Sequence, residues 1–279
     1  MSIDSTTVLT HWQGDSLALV GLTLELLTAV AYVVGVRRLR ASGRRWPAGR
    51  TVSFLLGLLC LAFALQSGFA TYDDDLLWVH MSQHLLLMMV AAPLLAWGAP
   101  VRLWLAAGNP PMRRFASGVL HDPSMRLVAG RKAAVLIPLD YYGSMALIAL
   151  TPLFRLTETS LWFHEFVHIY FLACGLMFWV PMLGQDPAAW RPTYRLKIAL
   201  VALGIPVYAA IAWGMSAEGR FISPEHSLSD IHLGAAVMLV GGVTLSLAGV
   251  AALMLVERRR RRLVIERASM RRPGLAVAA

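Results

Sequence analysis

Charge and cysteine are both scarce in this chain of 279 residues. Only 15% of the residues are charged, whereas a globular domain usually carries about 25%, and 57% are hydrophobic, with a mean hydropathy of +0.61. The two cysteines are too few for a disulfide scaffold or a thiolate-rich zinc site. The 22 glycines and 14 prolines are ordinary frequencies, which excludes collagen-like and low-complexity chains. The composition therefore indicates an integral membrane protein.

Seven apolar segments are long enough to cross the hydrocarbon core of a membrane, which takes roughly 20 residues of helix. They show no strand-like alternation of polar and apolar residues, so we predict an all-α integral membrane protein, a bundle of seven transmembrane helices. The predicted spans lie near residues 16–36, 51–70, 77–98, 133–154, 161–183, 196–216 and 232–256. Together they form one membrane domain over residues 1–256, followed by a basic tail over residues 257–279.

The basic residues fall almost entirely on one side of the predicted spans. Of the 25 lysines and arginines, only Arg155 and Arg220 lie on the other side. Because Lys and Arg accumulate in cytoplasmic loops, we expect an outside N-terminus and a cytoplasmic C-terminus in a multi-pass protein of the bacterial plasma (inner) membrane. The first sixteen residues lack Lys and Arg, so we expect the first span to stay as an anchor. The net charge of +9 then reflects topology and contact with anionic membrane lipid, and no nucleic acid partner is expected.

Seven of the eight histidines lie on the predicted outer side. His80 and His84 occupy the first turns of the third span, and His164 and His168 hold the same position in the fifth. Residues four apart share one helix face, and ionisable groups within a membrane usually face the interior of the bundle. We therefore predict that the two pairs converge on a metal ion. The alternative is that each histidine is an interfacial polar residue bonded to a neighbour.

Further polar residues surround this predicted site. His232 and Asp230, at the start of the seventh span, are predicted as a fifth ligand or as an acceptor that holds a ligand in place, and the acidic run at residues 73–75 attracts cations. Imidazole binds copper, zinc or iron, and a methionine such as Met88 shifts the preference towards copper, ahead of zinc or haem. Glu25 and Asp140 are intramembrane acids and are further candidates for function.

Three stretches of the chain carry a likeness to a known family. They are WVHMSQHLLLMMVAAPLLAWGAP at residues 78–100, FHEFVHIYFLACGLMFWVPML at residues 163–183 and, more weakly, SDIHLGAAVMLVGG at residues 229–242. The first closely resembles a signature of the CtaG-type cytochrome c oxidase assembly factors, bacterial multi-span proteins linked to the biogenesis of haem–copper oxidases. The resemblance covers roughly residues 50–256.

This resemblance implies a role and a set of functional positions. The positions are His80, His84, His164, His168 and Asp230, whereas the family more often has Gln at position 232. The implied role is assembly of a haem–copper oxidase by aiding copper delivery, with oxidase subunits and other copper-delivery proteins as partners and without catalytic turnover.

Two other functions fit parts of the pattern. HEFVH at residues 164–168 matches the HExxH motif of zinc proteases, in which Glu165 would be the general base of an intramembrane metalloprotease. One imidazole from each of the third and fifth spans would suit a single-haem membrane protein. A retinal protein is excluded, because the two lysines, Lys132 and Lys197, lie at the predicted cytoplasmic ends of spans.

Overall fold

Helices dominate the computed structural model, which describes residues 11–108, 110, 111, 114, 118, 130–222 and 224–270. Seven helices are long and apolar enough to cross a membrane, which confirms the predicted all-α fold with seven spans. Over the described residues there is no β-strand, and Trp12 and Ser67 form an isolated bridge. The spans are Ser16–Ala41, Ala48–Gln66, Leu77–Ala107, Lys132–Leu150, Leu161–Leu183, Tyr194–Ala217 and Leu228–Leu263.

Large apolar side chains cover the outside of these helices. The side chains of Leu24, Leu59, Leu139, Trp213 and Val240 are between 60 and 76% exposed. A soluble monomer rarely exposes apolar patches larger than a few hundred square ångströms. This surface is that of a multi-pass membrane protein.

The helices differ from the predicted spans mainly at their ends. The predicted fourth span reached residue 154, but its helix ends at Leu150, because Pro152 has no N–H to continue the helical hydrogen bonds. The last helix runs well beyond the predicted limit of residue 256, to Met270, so the first part of the predicted tail is helical. The rest of that tail, residues 271–279, lies outside the described residues. The helices are Ser16–Ala41, Ala48–Gln66, Gly68–Thr71, Leu77–Leu85, Ala92–Gly98, Pro100–Ala107, Gly130–Leu150, Leu153–Thr159, Leu161–Leu183, Tyr194–Ala202, Gly204–Ile222 and Leu228–Met270, with a π-helical turn at Leu86–Ala91.

The third span is the centre of the bundle. Of its most apolar stretch, 61% is buried inside the protein, against 11% for the first span. It packs against the first, second, fifth and seventh spans. Polar side chains near its start are therefore enclosed by protein rather than by lipid.

A π-helical turn interrupts the third span directly after its second histidine. Within this turn, Ala92 N–H donates to the carbonyl of Leu87, five residues back. The Met88 carbonyl accepts from Trp179 Nε1 at 3.0 Å and from the Tyr141 hydroxyl at 3.3 Å. These two bonds join the third span to the fifth and the fourth just below the histidines.

The third and fifth spans pack closely at Gly175. A Cβ atom at this position would lie 2.8 Å from the Cβ of Ala92 and 3.3 Å from the backbone of Met88. Any side chain here would push the two helices apart. Glycine thus sets the separation of the two helices that carry the histidine pairs.

Candidate metal centre

The four histidines predicted as ligands occupy equivalent places in two helices. His80 and His164 are the fourth residues of Leu77–Leu85 and Leu161–Leu183, and His84 and His168 are the eighth. Both helices open with the pattern Leu-Trp-x-His-x-x-x-His, as LWVHMSQH and LWFHEFVH. The Leu-Trp before each histidine pair is a further sequence signal, beyond the spacing of four residues, that the two helices hold equivalent positions.

The structure brings these four imidazoles together. The rings of His80 and His164 are nearly parallel, with centroids 4.8 Å apart. The centroid distance is 4.4 Å within the His80–His84 pair, 4.3 Å within the His164–His168 pair and 6.0 Å between His84 and His168. The two pairs converge as expected, and we refer to the four residues as the imidazole cluster.

The imidazole cluster is buried and lacks hydrogen-bond partners. His80 and His84 are 0% exposed, His168 is 3% and His164 is 5% exposed. Seven of their eight ring nitrogens are buried without a hydrogen-bond partner among the described residues. Buried polar atoms are nearly always hydrogen-bonded, because leaving one unsatisfied costs about 1–3 kcal/mol. This concentration of unpartnered nitrogens makes the imidazole cluster the candidate metal centre.

Aromatic side chains close the walls of the imidazole cluster. The ring of Phe154 meets His80 edge-on with centroids 4.9 Å apart, and Phe171 meets His84 in the same way at 4.8 Å. Both phenylalanines are fully buried. They hold the imidazoles in place and exclude water from the site.

Asp73 lies against the imidazole cluster from the loop before the third span. Its Oδ2 is 3.8 Å from His164 Nε2, and the side chain is 5% exposed. Burial, together with the charge of Asp74, raises the pKa of the Asp73 carboxyl to about 8, against a favourable interaction with the Gln83 side chain. The sequence identified this residue only as part of an acidic entrance. Its position beside His164 depends on the fold of a loop, which no periodicity predicts.

Two groups of possible ligands share His164. One ligand atom from each of His80, His84 and His164 lies within 4.8 Å of the others, and the same holds for Asp73, His164 and His168. Nitrogens bound to one ion by bonds of about 2.0–2.1 Å lie at most about 4.2 Å apart. Small side-chain rotations therefore suffice for these donors to hold a cation.

Other acidic groups line the approach to the imidazole cluster. Burial and the nearby charge of Glu158 raise the pKa of the Asp74 carboxyl. His226 Nδ1 lies 3.1 Å from Glu158 Oε1. Burial acts to lower the pKa of His226, but Glu158 and then Asp230 outweigh it, so the pKa is raised overall. The entrance is acidic, as the sequence indicates.

Asp230 has a structural partner in this arrangement. Its Oδ2 accepts from Leu77 N–H at 2.7 Å, at the start of the third span, where Leu76 offers no side-chain cap. In the fifth span the corresponding residue, Ser160, caps its own helix by accepting from Phe163 N–H. Asp230 thus does for the third span what Ser160 does for the fifth. Its ligand role stays a prediction.

The predicted ligand His232 and the N-terminal His11 lie outside the imidazole cluster. His232 is exposed on the last helix, and it belongs to neither group of possible ligands found among the described residues. The ring of His11 packs edge-on against Tyr72, with centroids 6.0 Å apart. His121 lies outside the described residues.

The two intramembrane acids lie at separate places. Asp140 accepts from the Tyr170 hydroxyl and from the Cys174 thiol, the latter at 2.9 Å, between the fourth and fifth spans. Glu25 is half-buried on the first span and interacts with the Gln66 side chain. Neither belongs to the imidazole cluster.

Comparison with known proteins places these features in a family. The sequence model of the cytochrome c oxidase caa3 assembly factors matches residues 30–260. An uncharacterized protein of Mycobacterium leprae is 32% identical over 246 residues, which are 82% of this chain and 36% of that protein. Uncharacterized proteins of Mycobacterium bovis and Mycobacterium tuberculosis are each 29% identical over 267 residues, 89% of this chain and 39% of theirs.

These relatives are longer than this chain. The chain spans 36–39% of the length of the curated relatives it matches. No solved structure matches it.

Proposed function

This chain belongs to the cytochrome c oxidase caa3 assembly factor family, and from that premise we propose that it binds copper at the imidazole cluster and aids copper delivery to the oxidase. The observation that carries the proposal is the set of seven buried, unpartnered ring nitrogens contributed by two spans. Each neutral imidazole has one N–H and one nitrogen lone pair, so the four rings can offer up to four lone pairs to a cation.

Copper is the metal that fits both the donors and the family. Neutral imidazole binds copper, zinc, iron and nickel with good affinity, and a haem–copper oxidase requires copper for its own active site. Asp73 supplies a carboxylate beside His164, which would compensate part of the charge of the ion. The copper is cargo in this proposal, so it must be released again. A site made of imidazoles and one carboxylate releases copper more readily than a site of thiolates does.

We propose that the imidazole cluster faces the outer side of the plasma membrane. The third and fifth spans both begin at the cluster, and Arg102, late in the third span, and Arg191, after the fifth, lie at the other end of the bundle. The excess of Lys and Arg marks that other end as cytoplasmic. The acidic entrance formed around Asp74 and Glu158 would then draw cations from outside.

The structure supports the zinc protease hypothesis less well than the copper-binding hypothesis. Glu165 Oε2 lies 3.9 Å from His168 Nδ1, and the Glu165 side chain is 35% exposed. The HExxH motif explains the fifth-span pair but gives no role to His80 and His84. If the chain were a protease, Glu165→Gln would abolish cleavage of a substrate and leave copper binding intact.

A haem between the third and fifth spans is also disfavoured by the geometry. The rings of His80 and His164 are parallel with centroids 4.8 Å apart, which leaves no gap for a porphyrin between them. A Soret band in the purified protein would revive this alternative.

Metal analysis of the purified full chain tests the copper proposal. Wild-type protein loaded with copper and washed should retain it, and His84→Ala/His168→Ala should lose it. The loss should exceed the roughly 10–100-fold that removal of an outer-shell partner costs. His232→Ala is the matched control, because this exposed histidine lies on a different span, and it should retain copper like the wild type.

The helix content and detergent elution profile of the double variant show whether it is folded. Copper retained by a folded His84→Ala/His168→Ala protein would contradict the proposal. A normal copper content of the oxidase in cells that carry the same variant would contradict the delivery role.

A further inference from the structure

Two adjoining cavities open at the end of the bundle opposite to the imidazole cluster. The first has a volume of about 430 Å³ and lies between the end of the fifth span, the start of the sixth and the last helix. The second has a volume of about 680 Å³ and lies along the outer side of that last helix. They share Leu183, Gln185, Val256 and Arg260 in their walls. Together they form one continuous depression.

The first cavity is lined by basic side chains. Arg191, Lys197 and Arg260 come from three different segments and all face it. Lys197 is half-buried, and its Nζ lies 3.6 Å from where a Cβ on Gly184 would be. This places the ammonium group beside the end of the fifth-span helix.

None of these three cations forms an ion pair within the part of the chain that the structure describes. No described carboxylate lies within 4.0 Å of a charged nitrogen of Arg191, Lys197 or Arg260. Glu257 lines the same cavity and its charge acts on Lys197, but its Oε1 lies 2.9 Å from Arg261 Nε, so one carboxylate that is already paired faces three cations. The cavity therefore presents an excess of positive charge.

The second cavity has the opposite character. Its wall is mainly apolar, with Trp97, Leu255 and Leu263 along it and Arg259 and Arg260 at one side. Leu255 and Leu263 are 57% and 54% exposed. An apolar groove that ends in a cluster of cations is complementary to an amphipathic ligand with an anionic headgroup.

We propose that this depression binds one anionic diacyl phospholipid. The phosphate would lie among Arg191, Lys197 and Arg260, and one acyl chain would lie along Trp97, Leu255 and Leu263. Basic pockets between transmembrane helices favour such headgroups, because the phosphate is desolvated beside several cations. An acidic peptide or free phosphate would satisfy the cations but would leave the apolar groove uncovered.

Lipid titration of the purified full chain in mild detergent tests this proposal. Native mass spectrometry would follow binding of dioleoylphosphatidylglycerol and of dioleoylphosphatidylcholine, which share their acyl chains and differ in headgroup charge. Wild-type protein should bind the anionic lipid at least about tenfold more tightly. In Arg191→Gln/Lys197→Gln/Arg260→Gln the anionic lipid should bind roughly 100-fold more weakly, as expected for the loss of three cations.

Arg195→Gln/Arg258→Gln/Arg262→Gln is the matched control. It removes the same charge from exposed arginines that line neither cavity, and its lipid affinity should stay within about twofold of the wild type. Filling the groove with Ala252→Trp should weaken lipid binding without removing any cation.

Three results would overturn the proposal. They are equal affinity of the wild type for the two lipids, an equal loss in the control triple variant, and displacement of the lipid by equimolar inorganic phosphate. The first comparison needs no variant, so it holds even if a substituted protein fails to fold. The last result would assign the cavity to free phosphate.

Discussion

A carboxylate caps a helix near each end of the third span, and the side chains around the two caps differ in charge. At its start, the Asp230 carboxylate of the seventh span accepts from Leu77 N–H at 2.7 Å. In its last segment, the Asp186 carboxylate accepts from Arg102 N–H at 2.7 Å and from Val101 N–H at 3.2 Å. Burial raises the pKa of Asp186, and these N–H groups oppose that shift. Two helices of the central span, Leu77–Leu85 and Pro100–Ala107, are thus each capped at the N-terminus by an acid from another segment.

The side chains around these caps decide what each end attracts. Near Asp230 lie four buried imidazoles and Asp73, which together suit a cation. At the opposite end of the bundle the cations Arg191, Lys197 and Arg260 line a cavity, which suits an anion. The caps hold the starts of the helices, while the neighbouring side chains set the sign of the charge that each end attracts.

The largest expected effect separates the two ends in the cell. In a strain that lacks the native gene, His84→Ala/His168→Ala should lower oxidase activity towards the level of the deletion, because the copper site is lost. Arg191→Gln/Lys197→Gln/Arg260→Gln should leave most of the activity, because the imidazole cluster is intact. Oxidase activity and copper content per haem in membranes check this, at equal amounts of the two variants. An equal loss in both would show that the two ends do not act separately.

The next effect concerns the carboxylate beside the imidazole cluster. Asp73→Asn keeps the shape of the side chain but cannot lose a proton to give a carboxylate beside the ion, so copper affinity should fall by roughly 10–100-fold. Asp75→Asn, an exposed neighbour in the same loop, should leave the affinity unchanged. Copper titration against a competing chelator measures both. Similar losses of copper affinity in the two variants would mean that Asp73 contributes only to the negative electrostatic potential of the loop and is not a specific partner of the ion.

A third effect concerns the separation of the helices rather than any ligand. Gly175→Ala places a Cβ 2.8 Å from that of Ala92, so we expect a loss of about 1–3 kcal/mol in the free energy of unfolding. Gly143→Ala is the control, since its Cβ would meet only Leu139 Cδ1 at 3.7 Å. Thermal or denaturant unfolding in detergent would compare them. Unchanged stability in Gly175→Ala would mean that the two spans are free to separate.

The smallest effect distinguishes a cap from a ligand. Asp230→Ala should lower the free energy of unfolding by about 1 kcal/mol, as loss of a helix cap does. As a cap alone, Asp230 would leave copper affinity within a few-fold of the wild type. A loss of copper as large as that of His84→Ala/His168→Ala would instead establish it as a ligand.

The periodicity and hydropathy of the sequence were sufficient to predict much of the fold and of the candidate site. Long apolar runs predict helices because the membrane core permits no unsatisfied backbone groups, and the seven spans follow from them. The spacing of His80 to His84 and of His164 to His168 predicts two aligned pairs, because residues four apart lie on one helix face. The structure brings these pairs together.

The contacts of other residues could not be predicted from periodicity or hydropathy. Asp73 reaches His164 through the conformation of a loop, and loops have no period. Asp230 was predicted near the site and lies there, but its bond to Leu77 N–H depends on how the seventh span packs against the third. His232 is exposed and belongs to neither group of possible ligands, an outcome that depends on the rotation of that same helix.

The amino-acid sequence by itself determined the seven apolar helices, the separation of basic from histidine-bearing ends, and the register of each histidine pair, because all three depend on local composition and helical repeat. Only the tertiary structure decided that the pairs meet, that a carboxylate joins them and that three cations share a cavity. Those outcomes depend on helix rotation and on close approaches such as that at Gly175, which arise from packing between distant parts of the chain.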